Sequence, residues 1–341
     1  MARISMMWTG FALLPGLCAA SAALSQAAEP APRFGAPVEC ALGTLCVVQN
    51  YVDQEPGPGA RDHTCGSLAY DGHDGIDIRV PGYPEMAAGV AVVAAAPGVV
   101  RAARDGMPDV SFREAGARSV RGREAGNAVV IDHGGGWETQ YSHLRRGSIR
   151  VEPGQRVAAG AVLGLIGLSG KTEFPHVHFA VRHDGRALDP YTGRPPESGC
   201  GEAGTPLWSA AAGAALAYRA GGILGAGFAA ERPALDRVLA GAYRAPALPA
   251  DAPALVFWAL AWGLRAGDRE TIRILGPDGA VLAETHARVP KHKAQWLRFT
   301  GRARKAAPWP PGRYRGEYRV TREDGGRTVT VAEVAREIEI E

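Results

Sequence analysis

The 341-residue chain has almost no charge bias: 38 Lys and Arg stand against 35 Asp and Glu, for a formal net charge of +3. Nucleic-acid binders show a clear basic excess, so that class has no support. The charges are scattered rather than blocked, which is the pattern of an ordinary solvated surface. Long apolar runs are scarce too. Residues 254–264 form an unbroken apolar stretch, but a membrane span takes about 20 residues, so a buried core strand is the better reading. Cysteine is limited to five, and no Cys-x-x-Cys occurs, which weighs against a thiolate zinc tetrad. Glycine (45) and proline (25) interrupt the chain and favour many turns between short strands over long helices. A Gly-Lys-Thr at 170–172 lacks the upstream glycine of a phosphate loop, because Leu165 holds that place and no helical pattern follows.

The N-terminus has the make-up of an export signal. Arg3 supplies a positive start, residues 6–24 are apolar or small, and Ser25-Gln26-Ala27 offers small residues at the −3 and −1 places. Cleavage is expected after Ala27. Pro15 and the short apolar part argue against an anchor, and the bulky Leu17 argues against lipidation at Cys18. No stable membrane insertion is expected. The four cysteines beyond the signal, Cys40, Cys46, Cys65 and Cys200, then suit two disulfides. Three connectivities exist; the expected one is a local Cys40–Cys46 loop and a Cys65–Cys200 clamp.

With 46% hydrophobic residues, the chain can bury a sizeable core, and its length is comfortable for two domains. After the signal (1–27), an extended Pro/Gly/Ala-rich lead-in covers 28–65. A first domain of short strands covers 66–202, an Ala/Gly-rich link 203–221, and a second set of strands 222–341. In the first domain, residues 75–80 read as a strand with Ile76, Ile78 and Val80 on one side and Asp77 and Arg79 on the other. Residues 127–144 read as a hairpin turning at three glycines, with Trp137, Thr139, Tyr141 and His143 sharing a face. The polar stretch 104–127 reads as a surface insertion bordering a groove. Residues 151–167 resemble 89–100 in their valines and glycines, a hint of internal duplication of bent strands. In the last part, strands are expected at 254–264, 270–275, 280–285, 295–300, 312–320, 328–331 and 334–340. They make a small immunoglobulin-like β-sandwich. It contains no chemical constellation and reads as a binding or spacing module. The fold class is all-β.

The chemistry concentrates in three short motifs: His73-Asp74-Gly75-Ile76-Asp77, Tyr141-Ser142-His143-Leu144 and Pro175-His176-Val177-His178-Phe179. Residues i and i+2 of a strand project from one face, so His176 and His178 aim at one spot. A turn at Asp74-Gly75 lets His73 and Asp77 reach a common ion. A bare Asp77 between Ile76 and Ile78 would be costly unless paired or metal-bound. Imidazoles converging with a carboxylate suit a hydrolytic Zn²⁺ site with three protein ligands and one open position. The remaining histidines, His63, His133, His183, His286 and His292, lack such spacing and read as structural.

These motifs, in this order, resemble those of the lysostaphin-type zinc endopeptidases that cut peptidoglycan cross-links: H-x-x-x-D with glycine two places before the aspartate, Y-x-H-L, and H-x-H-F. The resemblance covers about residues 66–189. It implies a duplicated-hybrid-motif β-sheet domain, one Zn²⁺ per chain on His73, Asp77 and His178, a catalytic pair His143 and His176, and a peptidoglycan peptide as substrate. Together with the export signal this makes a periplasmic or secreted enzyme the expectation, with protein or wall contact available to the C-terminal domain. Glu173-Phe174-Pro175 stands where small residues are common in the family, which reshapes the groove. The rival readings are a non-catalytic wall-binding or amidase-activating regulator, which the intact motifs disfavour, and a carrier domain. For a carrier, Lys171 lacks the usual flanks and an export signal is out of place. N-terminal sequencing of protein recovered from the exporting cell is expected to begin at Ala28.

Overall fold

The computed structural model describes residues 31–341 together with Met1 and Ala2, so the expected export signal and its cleavage site lie outside the described residues. The architecture is nearly all β, as the composition implies. Among the described residues no helix is long and apolar enough to cross a membrane.

The first part contains β1 (Val38–Glu39), β2 (Val47–Asn50), β3 (Ile76–Arg79), β4 (Ala91–Val93), β5 (Gly98–Arg104), β6 (Asn127–Gly134), β7 (Trp137–Leu144), β8 (Arg156–Val157), β9 (Val162–Leu165), β10 (His176–His183) and β11 (Arg186–Leu188). An eight-stranded sheet runs β2-β3-β10-β7-β6-β5-β8, with β11 also on β10, and β1-β4-β9 form a second sheet. The lead-in is thereby built into both sheets through β1 and β2. The two similar bent stretches pair with each other, β4 with β9 and β5 with β8, both antiparallel. The hairpin turns where expected, and Gly134, Gly135 and Gly136 all have positive φ (84°, 56° and 81°), a region costly for residues with a Cβ.

Alternation sorts the large sheet into two faces. Ile76 and Ile78 on β3, Tyr141 on β7 and Val177, Phe179 and Val181 on β10 are wholly buried in one apolar cluster. Cross-strand neighbours share a face, so the opposite face carries Asn50, Asp77, Arg79, Ser142, His176 and His178, paired as Asn50↔Asp77, His178↔Asp77, His176↔Arg79 and His178↔Ser142. One strand pattern thus builds the core on one side and a polar site on the other.

The second part contains β12 (Gly222–Ala229), β13 (Ala247–Leu248), β14 (Ala254–Leu264), β15 (Arg269–Leu275), β16 (Val281–Arg288), β17 (Lys293–Ala303), β18 (Gly312–Asp324) and β19 (Arg327–Ile340). They form sheets β12-β14-β17 and β13-β19-β18-β15-β16. These sheets enclose a separate apolar cluster with Phe257, Ile272, Tyr318 and Ile338. Two strands expected at 328–331 and 334–340 are one continuous β19. Its partner β18 shifts register between Val320 and Thr321, and that bulge absorbs the break in alternation that makes the segment look divided.

The apolar run at 254–264 is β14, and its pattern has a structural cause. Phe257, Ala259 and Ala261 face the sandwich core. Trp258, Leu260 and Trp262 join the cluster that holds Ile76 and Phe179. A strand buried on both faces has no reason to alternate. The stretch 203–221 is packed as well: Trp208 and Leu216 lie in that same cluster, and Trp208 stacks on Phe179 with ring centroids 5.7 Å apart.

Disulfides join Cys40 to Cys46 and Cys65 to Cys200, the expected pairing. The second ties the loop before the site to the chain after β11. Beside it, Asp189 is completely buried, accepting from Gln54 Nε2 at 3.0 Å and the Tyr191 amide at 2.7 Å. Burial pushes its carboxyl up from 3.8 to about 7, against those hydrogen bonds. The folded chain therefore holds this proton more tightly than the unfolded chain. The stabilisation is complete below about pH 4 and is lost as pH climbs through about 7. Asp189→Asn is expected to remove this contribution, so that its melting temperature falls less between pH 5 and 8 than that of the parent protein.

Candidate metal centre

His73, Asp77 and His178 converge although 105 positions separate the outer two. His73 Nε2 is 3.1 Å from Asp77 Oδ1 and 3.1 Å from His178 Nδ1, and His178 Nδ1 is 3.0 Å from Asp77 Oδ1. The β3–β10 pairing places His178 opposite Asp77, while the turn at Asp74-Gly75 brings His73 back over them. That turn needs a glycine for space. A Cβ on Gly75 would lie 2.5 Å from the Phe179 carbonyl oxygen and 2.7 Å from His178 Nε2.

Each of the three has an outer partner that aims it. His73 Nδ1 donates to the Tyr51 carbonyl at 2.6 Å, leaving Nε2 as a lone pair directed inward. His178 Nε2 donates to Asp74 Oδ1 at 3.2 Å, leaving Nδ1 inward, and Asp74 is held in turn by Arg182 at 2.7 Å. Asn50 Nδ2 donates to Asp77 Oδ2 at 2.9 Å, which leaves Oδ1 for the centre. Metal-ligating imidazoles generally have such outer-shell partners. With both imidazoles neutral, three acceptors face one another and repel unless a cation lies among them. Without a metal, burial opposes charge on His178, but its hydrogen bonds to Asp74 and Asp77 prevail and hold it up to about 9, so a proton on Nδ1 takes the place that a cation would fill. Burial likewise opposes the Asp77 carboxylate, yet the imidazoles around it hold it well below the usual range. Both shifts show a pocket that favours positive charge. The donor set also has the right size. A triangle with edges of 3.0–3.1 Å has its corners about 1.8 Å from the centre, which suits the bond lengths of about 2.0–2.2 Å that a small divalent metal would need. The residues fit a small divalent metal.

The two further histidines lie beside this triangle. His176 Nε2 is 3.3 Å from Asp77 Oδ1, and its Nδ1 donates to the Phe174 carbonyl at 3.0 Å. His143 lies with its ring centroid 4.7 Å from that of His176. Simple alternation assigns His143 to the face of Tyr141. The structure separates them. Tyr141 points into the core, where its hydroxyl accepts from the Ala95 amide at 2.7 Å, whereas His143 has φ +62° and swings onto the site face. A left-handed backbone at a non-glycine residue is a strained arrangement that clusters at functional sites. It is held by the His143 amide donating to the Ala125 carbonyl and by Nδ1 donating to Ser169 O at 2.8 Å. Burial, with His176 and His178 nearby, holds His143 well below the ordinary histidine range, so the ring is neutral with Nε2 free. His143 and His178, at 8% exposure, are the most open of the five and mark the mouth. Tyr70, half exposed, packs tilted against His73 at 4.2 Å between centroids and forms part of the rim.

Sequence patterns alone omit Asn50, Tyr51, Asp74, Ser169 and Arg182. Asp74 had a signal, a carboxylate inside the first motif. Asn50 had none, since only the β2–β3 register sets it against Asp77. The insertion at 104–127 does border the site. The Ala125 carbonyl accepts from the His143 amide at 2.9 Å, and the Phe112 amide donates to the Thr172 carbonyl at 2.8 Å, with Thr172 Oγ1 3.1 Å from His176 Nδ1. Among the structural histidines, His133 donates to Pro97 O at 2.8 Å and His183 stacks on Trp137.

Comparison with known proteins finds similarity over this region. Residues 71–190 match the family described as Peptidase family M23. The chain is 33% identical over 119 residues to the "DD-carboxypeptidase/endopeptidase Mpg" of Neisseria meningitidis, covering 35% of this chain and 22% of that protein. It is 42% identical over 65 residues to the "Peptidoglycan DD-endopeptidase ShyA" of Vibrio cholerae, covering 19% of this chain and 15% of that protein. The matches thus span about a fifth of those relatives or less. A solved structure, the catalytic domain of the prophage-encoded M23 protein EnpA from Enterococcus faecalis, is similar with 26% identity, 48% of this chain and 95% of that chain covered, and a TM-score of 0.31. Gly75→Ala is expected to cost about 1–3 kcal/mol through the forced clash and to lower bound divalent metal, measured by thermal melting and elemental analysis of purified protein.

Proposed function

We propose that residues 71–190, a Peptidase family M23 domain, bind one Zn²⁺ per chain and hydrolyse peptide cross-links of peptidoglycan, in an enzyme exported to the periplasm or beyond. The observation that carries this reading is the triangle of three inward acceptors, each with its own outer hydrogen-bond partner, beside two further imidazoles. The names of the relatives support the substrate class. The two disulfides support an oxidising compartment. In this reading 1–27 are the signal, 28–65 the lead-in, 66–202 the zinc peptidase domain, 203–221 the connection and 222–341 an accessory sandwich available for protein or wall contact.

His73, Asp77 and His178 would hold the metal. When bound, it acidifies water and polarises the scissile carbonyl. The rest falls to the chain. His143, kept neutral and tied at Nδ1, presents Nε2 as the proton acceptor for the attacking water. His176, anchored at Nδ1, has Nε2 available to carry a proton to the leaving amine or to donate to the developing oxyanion. The positive φ at His143 keeps its ring on the site face before substrate arrives.

Digestion of purified peptidoglycan with mass analysis of the fragments tests the activity and identifies the bond cut. His143→Ala and His176→Ala are expected to keep stoichiometric zinc while turnover falls about 10²–10⁴-fold. Full activity in both variants would overturn the assignment, and an inert parent protein would overturn the reading itself.

A further inference from the structure

Arg79 is a buried cation that the mechanism above does not use. It follows Asp77 by two places on β3 and lies directly opposite His176 in the pairing with β10. Its side chain is completely buried, and burial pushes the guanidinium down to about 9. Among the described residues it makes no ion pair; its acceptors are neutral. Nη1 donates to Gln49 Oε1 at 2.6 Å and to Gln295 Oε1 at 2.7 Å, Nε to Val80 O at 3.2 Å and Nη2 to Pro81 O at 3.3 Å. A desolvated cation among neutral dipoles takes its position from each of them, because losing one leaves a buried donor unpaired.

One of those acceptors comes from the other half of the molecule. Gln295 lies on β17, 216 positions from Arg79, at the outer edge of the three-stranded sheet. On its other side Arg79 covers Phe174, with the guanidinium carbon 4.5 Å from the ring centroid. Phe174 in turn lies against His176, ring centroids 4.8 Å apart, and its carbonyl fixes the His176 Nδ1 proton. The contacts form an unbroken series from the sandwich to the site: Gln295, Arg79, Phe174, His176. The surrounding packing makes this junction firm. Trp258, Leu260 and Trp262 of β14 share the apolar cluster of β3 and β10, and Arg244 meets Glu85 at 2.6 Å.

We propose that Gln295 is a positioning residue for the reaction at the metal centre, acting through Arg79 and Phe174 on His176, so that the C-terminal sandwich completes the active centre instead of serving only as a tethered binding module. This rests on the hydrolytic reading given above. Gln295 touches neither substrate nor metal. Its amide oxygen fixes the guanidinium, the guanidinium fixes the Phe174 ring, and that ring with its carbonyl sets the angle of the His176 imidazole. A misplacement of about 1 Å at a catalytic group can slow a reaction about 10²-fold.

The test uses the full-length, zinc-loaded protein and a soluble cross-linked muropeptide dimer. Gln295→Leu keeps the volume and removes the acceptor. It is expected to lower kcat on the order of tenfold with KM and zinc content unchanged. Gln295→Glu, which restores an acceptor, is expected to recover most of the rate. Phe174→Leu is expected to lower kcat similarly, and the double variant is expected to be no slower than the worse single one, since both act through one contact series. Should Gln295→Leu not fold, Gln295→Asn, which withdraws the amide by one methylene, carries the same expectation. A Leu or Asn variant with the parent's kcat, even with a lowered melting temperature, overturns the inference. So does a Glu variant no better than Leu, or single-variant losses that multiply in the double. An inert parent protein instead overturns the hydrolytic reading on which the inference rests.

Discussion

Three hydrogen-bond acceptors forced to within 3.1 Å of one another are the constraint on which the rest of this structure depends. With both imidazoles neutral, His73 Nε2, His178 Nδ1 and Asp77 Oδ1 repel one another unless a proton or a metal ion lies among them. The fold holds them there with the rigidity of two paired strands and one turn. It then commits the opposite atom of each side chain elsewhere: to the Tyr51 carbonyl, to Asp74 and to Asn50. A site whose internal repulsion is balanced by outer hydrogen bonds is prepared for a cation.

The same economy of position governs the two further imidazoles. Each has Nδ1 tied to a backbone carbonyl, which settles the tautomer and frees Nε2. For His143 the backbone itself is distorted to deliver the ring. Ser142 keeps its register with His178 on β10, but on the other side the pairing with β6 shifts between Tyr141 and Leu144, so that Ser142 and His143 stand opposite the single residue Ala128. Strain of this kind persists only where the surroundings over-determine it. Here the Ala125 and Ser169 carbonyls do so.

The sandwich belongs to this account because of β14. With both faces buried, the strand serves two cores at once, and that shared burial brings the edge strand β17 against Arg79. A hinged module would have left β14 with one wet face and an alternating pattern.

Much of this was legible in the chain. Alternation around Asp77 and around His176 and His178 reports a strand with a polar and an apolar face, because side chains of a strand leave it with a period of two. Glycine and proline locate the turns, since few other residues tolerate them, and the four cysteines pair as spacing and compartment suggest. The unbroken apolar run reports a core strand, though not that it belongs to two cores. Register and long-range approach were not legible. Asn50 meets Asp77 through a bulged pairing, His143 leaves the face its position assigns, β19 bridges an apparent break, and Gln295 reaches Arg79 from a distant strand. The physical reason is common to all four. Local sequence determines which way a side chain leaves its own strand, while its partner is decided by how separate strands align and pack, a property of the folded whole.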